Sequence, residues 1–113
     1  MIELRSFGDL GGDVSATVLQ WRNHPDIRSV MYTDRIITLQ EHEAFIASLR
    51  ERDDKRYFVV YADNQPIGII DLIDITQDSA TIGLYADPFN PRPGAGSMLM
   101  QALMEYALDT LNL

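Results

Sequence analysis

The chain has 113 residues, 46% of them apolar and 23% charged, with a formal net charge of -8. This length suits one domain with one core, and the composition argues against disorder and against general nucleic-acid binding, which draws on lysine and arginine. Cysteine is absent, which removes disulfides, thiolate nucleophiles and cysteine-based metal sites.

Residues 2–7 alternate, Ile2, Leu4 and Ser6 against Glu3, Arg5 and Phe7, and predict a short strand ended by Gly8-Asp9-Leu10-Gly11-Gly12. The start of the chain, Met1-Ile2-Glu3-Leu4-Arg5, lacks the pattern of a signal peptide, and no apolar run approaches the roughly 20 residues of a membrane span, so a cytoplasmic protein is expected. Val14, Val18, Leu19 and Trp21 have helical spacing and predict a helix over 14–23, capped by Asp13 or Ser15. Pro25 interrupts it, and a second helical piece is expected over 26–31 with Ile27, Val30 and Met31 inward. Thr38-Leu39-Gln40-Glu41 fits a capping box and opens a helix whose inner face is Leu39, His42, Phe45, Ile46 and Leu49. A charged loop over 50–56 follows.

Three strands come next, over 57–62, 67–75 and 80–86, with turns at Asp63-Asn64-Gln65-Pro66 and Gln77-Asp78-Ser79. Their tight connections predict an antiparallel meander. Asp87-Pro88-Phe89-Asn90-Pro91-Arg92-Pro93 must be loop, and Gly94-Ala95-Gly96-Ser97 then opens a helix with inner face Met98, Leu99, Ala102, Leu103, Tyr106 and Thr110. The class is therefore α+β, ordered strand, two helices, three strands, helix.

The strand, proline loop, Gly94-x-Gly96 and helix together make a plausible anion cradle. Two glycines let a ligand approach the backbone, and a helix N-terminus offers unpaired N–H groups and a positive dipole end. Such a site binds phosphate whatever the global charge. A plain turn explains the glycines equally well. A dinucleotide fingerprint fits poorly, because Leu99 holds the third glycine position, and no Gly-Lys-Ser/Thr follows as in a Walker loop.

The run Ile82-Gly83-Leu84-Tyr85-Ala86-Asp87-Pro88, then Gly94-Ala95-Gly96 and an apolar helix with Leu99 and Leu103, resembles motif A of the GNAT acetyltransferase superfamily. Gly68-Ile69-Ile70 is similar to the preceding strand of that family. The resemblance covers nearly the whole chain and implies a mixed, mainly antiparallel sheet, with acetyl-coenzyme A as co-substrate. It places the pantetheine arm along the backbone of Leu84, Tyr85 and Ala86, and the pyrophosphate at Gly94, Ala95, Gly96 and Ser97. The family prefers Gln or Arg where Pro91 stands here, so either the loop is locally one residue shorter or Arg92, the candidate phosphate-binding side chain, reaches the phosphate from a shifted position. The first half, Trp21-Arg22-Asn23, Ile27-Arg28, Met31, Ile37-Thr38, Glu41-His42, Phe45 and Tyr57-Phe58, resembles a GNAT branch that acetylates the UDP-linked 4-amino-4,6-dideoxy sugar of pseudaminic acid synthesis, which serves surface glycans and flagellin. A sister pattern occurs in enzymes acting on the N-termini of ribosomal proteins. Arg22, Asn23, Tyr32, Arg35 and His42 are the candidate acceptor-binding residues; Arg28 is as readily a solvated surface residue. Trp21 is read as core, His24 as exposed, and His42 as either a packing residue or a proton shuttle. Asp71 and Asp87 are either water-positioning groups or solvated acids. No metal site is expected.

The resemblance implies direct transfer, in which a neutral amine attacks the thioester while backbone N–H groups polarise its carbonyl. Most of the family's members protonate the leaving thiol with a tyrosine on a later helix, which would lie beyond Leu113. The apolar end Thr110-Leu111-Asn112-Leu113 is expected to be a cut within the domain, making residues 1–113 a single, incomplete domain. The strand at 80–86 would then be an exposed edge, through which, or through the last helix, homo-oligomers are expected. Two alternatives to an enzyme remain open from the sequence: a coenzyme-A-binding module without turnover, and an interaction protein whose glycines only form a turn.

Overall fold

Alternating apolar positions and tight turns build one sheet with helices on both faces. The computed structural model describes residues 2–31 and 34–113. Strand β1 spans Ile2–Ser6, β2 Arg56–Ala62, β3 Gln65–Ile73 and β4 Thr81–Ala86. The sheet order is β1-β2-β3-β4, and each of its pairings is antiparallel, so the mixed character implied by the resemblance is not seen among the described residues. Helix α1 spans Gly12–Asn23, α2 Pro25–Arg28, α3 Leu39–Leu49 and α4 Ala95–Glu105.

Strand periodicity divides the core in two. Val60, Ala62, Ile70 and Leu72 face α4 and meet Leu99, Ala102 and Leu103. Val59, Tyr61 and Ile69 point the other way, to Val18 and Trp21 of α1 and Ile46 of α3. Trp21 is thus core, as the sequence predicts. Each fully buried Leu or Ile contributes about 1.5–3 kcal/mol. Gly68 is where the layers approach most closely. A Cβ there would lie 2.5 Å from the Tyr85 carbonyl oxygen and 2.8 Å from Leu99 Cδ1.

The expected capping box is present: Thr38 accepts from the Glu41 N–H, and the Glu41 carboxylate accepts from the Thr38 N–H. Other boundaries depart from expectation. Phe7 belongs to a 3-10 turn over Phe7–Asp9 rather than to β1. Gly11, not Asp13 or Ser15, caps α1, and Asp13 lies in the first turn, where its charge suits the helix dipole. The piece after Pro25 is helical only to Arg28, which leaves Val30 exposed. Leu39 lies in the first turn of α3 and is exposed. The β2–β3 turn needs only Asp63 and Asn64, both at positive φ, so Gln65 and Pro66 join the strand at a register shift beside Val60 and Tyr61. Asp74 at φ 51° bends the chain after Ile73, two residues before the predicted end. A π-helical turn over Tyr106–Thr110 rotates the end of the last helix, so Ala107 is buried in place of Thr110.

Candidate active site

Strand β4 ends against Asp87, whose N–H donates to the Ile67 carbonyl at 3.0 Å. The Asp87 carboxylate accepts from the N–H groups of Phe89 at 2.8 Å and Asn90 at 3.2 Å, which folds the proline loop back. The loop closes at Gly94, the N-cap of α4, with φ at +80°. Glycine holds this left-handed conformation without the steric cost that a Cβ brings. Ala95 N–H donates to the Arg92 carbonyl at 3.0 Å, and Met98 N–H to that of Gly94 at 3.1 Å. The N–H groups of Gly96 and Ser97, between them, have no partner among the described residues. Both residues are exposed, and a Cβ on Gly96 would meet nothing within 4 Å. Buried Ala95 and Leu99 anchor the helix just behind. The result is a fixed, open helix end able to bind an anionic group.

Upstream, Leu84, Tyr85 and Ala86 pair with Ile70, Ile69 and Gly68. Leu84 and Ala86 pack on the α4 side, Tyr85 on the α1 and α3 side. On its far side β4 has no paired strand among the described residues, so that edge of its backbone is open.

On the α1 and α3 side, the apolar core gives way to a polar patch that joins four elements. Asp71 of β3 stands between Tyr57 of β2 and Gly83 of β4. Its carboxylate oxygens lie 2.9 Å from the place a Cβ on residue 83 would occupy. Burial pushes the Asp71 carboxyl up to about 6. Tyr57 is held by Phe7 and Phe45, with ring centroids at 5.4 Å and 5.0 Å. Burial, with the Asp71 charge adding and Arg22 opposing, raises its phenol to about 12. The same burial raises Tyr85, opposed by Arg22.

The family model described as an acetyltransferase (GNAT) domain matches residues 2–113. Acetyltransferase PseH of Campylobacter jejuni strain 81-176 is 40% identical over 111 residues, which cover 98% of this chain and 69% of that protein. The chain belongs to the GNAT acetyltransferase family. Acetyl-coenzyme A is the acyl donor of GNAT enzymes. The crystal structure of C. jejuni PseH in complex with acetyl coenzyme A superposes with a TM-score of 0.81 at 33% identity, covering 100% of this chain and 72% of that one. A spermidine N-acetyltransferase from Vibrio cholerae, in complex with CoA and spermine, shares the fold with a TM-score of 0.85 at 23% identity, covering 99% of this chain and 66% of that one. Among the described residues, no helix of this GNAT chain is long and apolar enough to cross a membrane.

Several side chains singled out from the sequence already have structural partners in this GNAT domain. Arg92 donates to Asp63 at 3.1 Å and toward the Ala62 carbonyl at 3.5 Å, tying the proline loop to the β2–β3 turn. Asn23 holds the Ile37 main chain with both amide atoms, donating to its carbonyl at 2.9 Å and accepting from its N–H at 2.7 Å. Arg28 donates to the carbonyls of Asn23 at 2.9 Å and Asp34 at 3.1 Å. These bonds tie the main chain at Asp34 and Ile37, ahead of α3, to α1 and α2. Arg35 pairs with Glu41, and that hydrogen bond holds the exposed Glu41 carboxyl down at about 2. His42 is buried, donates from Nε2 to the Ser15 carbonyl at 3.0 Å, and has its pKa lowered by burial, the profile of a packing residue joining α3 to α1. Tyr32 lies outside the described residues. His24 is half-buried rather than exposed; it meets Phe89 edge-on at 5.0 Å and caps α2. Together with Leu19, Gln20, Asn23 and Pro25 they line a cleft of about 360 Å³ between α1 and the proline loop. Sequence reasoning named Arg22 and Tyr85 separately but did not join them to Tyr57 and Asp71.

Proposed function

We propose that this chain is an acetyl-coenzyme-A-dependent N-acetyltransferase for the 4-amino group of a nucleotide-linked amino sugar, in a pathway of the pseudaminic acid type. The observation that carries the donor half is the α4 N-terminus, with left-handed Gly94 and the unpaired N–H groups of Gly96 and Ser97. In this reading the pyrophosphate accepts from those groups, and the pantetheine arm pairs with the open backbone edge at Leu84, Tyr85 and Ala86. Arg92 keeps its loop-tethering bonds and is not required as a phosphate ligand. The acceptor approaches from the α1 side, toward Arg22 and the polar patch, with the tied residues Asp34 and Ile37 beside its entrance. The likeness of the first half, Trp21-Arg22-Asn23 through Tyr57-Phe58, to the amino-sugar branch supports an amino-sugar acceptor, and the 40% identity to PseH supports acetyl transfer. The same reading takes residues 1–113 as part of one domain and leaves only the start of the open β4 edge, Thr81 to Gly83, for a further strand or a second copy to pair with.

Thiol release from acetyl-coenzyme A tests the acceptor, with a UDP-linked 4-amino-4,6-dideoxy sugar compared with a ribosomal-protein N-terminal peptide. Release with the sugar and not the peptide is the expected result. The reverse would move the acceptor to protein N-termini. Donor binding without turnover on either would reduce the chain to a coenzyme-A-binding module.

A further inference from the structure

Asp71 is an anomaly of the fold. It lies in β3 between Ile70 and Leu72, both fully buried on the α4 side, so the two-residue period turns it to the opposite face. An aspartate inside a central strand is disfavoured, and a half-buried carboxylate with no hydrogen bond carries a desolvation cost. Asp71 accepts no hydrogen bond from any described residue. The neighbouring strand gives way to it: because residue 83 is glycine, the carboxylate can lean over β4, where any side chain would begin 2.9 Å from its oxygens. Tyr57 and Tyr85 border the slot, and Arg22 of α1 stands within electrostatic reach of both. An acid with no hydrogen-bond partner among the described residues, retained at this cost in a slot opened by a glycine, points to a functional group rather than a structural one.

We infer that Asp71 is the proton acceptor for the incoming amine, held over β4 by the absence of a side chain at Gly83. This rests on the proposed donor position, which runs the thioester along β4 beside Leu84 and Tyr85, next to Gly83. The acceptor arrives as an alkylammonium ion, and its N–H proton passes to the Asp71 carboxylate, directly or through one water. The freed nitrogen lone pair then forms the N–C bond at the thioester carbonyl, and the C–S bond breaks with its electron pair left on sulfur. The second nitrogen proton ends on that sulfur, giving amide and free thiol, and Asp71 returns its proton to solvent. A carboxyl raised by burial is better matched to this task at neutral pH than an ordinary aspartate. The groups facing it are Tyr57 from β2 and Tyr85 from β4, with Arg22 from α1 beyond them; both phenols are raised and stay neutral through this range.

The test is kcat against pH with acetyl-coenzyme A and the UDP-linked 4-amino-4,6-dideoxy sugar at saturation, for wild type, Asp71→Asn and Gly83→Ala, beside calorimetric titration of each with acetyl-coenzyme A. Wild type is expected to show an acidic limb near pH 6. Asp71→Asn should lose that limb and about 100-fold or more of kcat, while its donor affinity stays within about twofold. Gly83→Ala displaces the carboxylate and should lower kcat by a smaller factor, again with donor affinity kept. A wild-type kcat that is flat from pH 5 to 7 overturns the inference, whatever the variants do. So does an Asp71→Asn protein that binds donor and keeps kcat within about threefold; the acetyltransferase reading would then stand without it. No turnover by wild type would overturn that reading, and this inference with it.

Discussion

The two faces of the sheet are built differently. On the α4 side, Val60, Ile70, Leu72, Leu99 and Leu103 are all 0% exposed, and among the described residues no charged side chain is buried there. On the α1 and α3 side, an equally tight core around Val59, Ile69 and Trp21 gives way to Asp71, Tyr57, Tyr85 and Arg22. The first face anchors the β4 backbone and the α4 N-terminus, so that under the proposed function a donor would meet groups already in place. The second gives up part of its packing to keep ionisable side chains beside the same strand. Under the proposed function, position and chemistry are thus divided between opposite sides of β4.

Substitution on each face can break this contrast. Gly68→Ala should have the larger effect on stability, because its methyl would meet the Tyr85 carbonyl oxygen and Leu99. A loss of about 3 kcal/mol is expected in urea unfolding. Unchanged stability would show that the α4 side is looser than described. Asp71→Asn should act in the opposite direction. The folded carboxyl titrates at about 6 against an ordinary 3.8, so folding favours its protonated form. The stability it contributes is complete below about pH 4 and is lost as pH rises through about 6. Between those limits wild type should lose on the order of 1 kcal/mol that Asp71→Asn keeps, since solvent screening at a half-buried site reduces the full amount. Parallel stability curves for the two proteins from pH 4 to 7 would place Asp71 in solvent.

Features carried by contiguous residues were legible in the sequence. The Thr38 to Glu41 capping box, the glycine-led α4 N-terminus and the Asp63-Asn64 turn each depend on neighbours a few positions apart. The strand meander followed from alternation and turn residues in the same way. The π-helical turn that replaces Thr110 with Ala107 was not legible, because a single extra residue per turn leaves no local signature. The side chains of Asn23, Arg28 and Arg92 suit ligands or loops equally by type, and only the fold shows them bonded to main chain or to a neighbouring turn. The polar patch was missed for a related reason: residues 22, 57, 71, 83 and 85 come from four elements, joined by strand register. One signal was available, an aspartate inside the apolar run Ile69-Ile70-Asp71-Leu72-Ile73, with a glycine at a pairing position of the next strand.

Calorimetric titration with acetyl-coenzyme A, comparing this chain with Gly96→Tyr, tests the central claim most directly. Residue 96 projects into open space, so the tyrosine leaves the core untouched and covers only the free N–H groups. Saturable binding by the wild-type chain, weakened at least about tenfold in Gly96→Tyr, is the predicted result. Equal affinity in the two proteins would contradict it and remove the α4 N-terminus as the donor site.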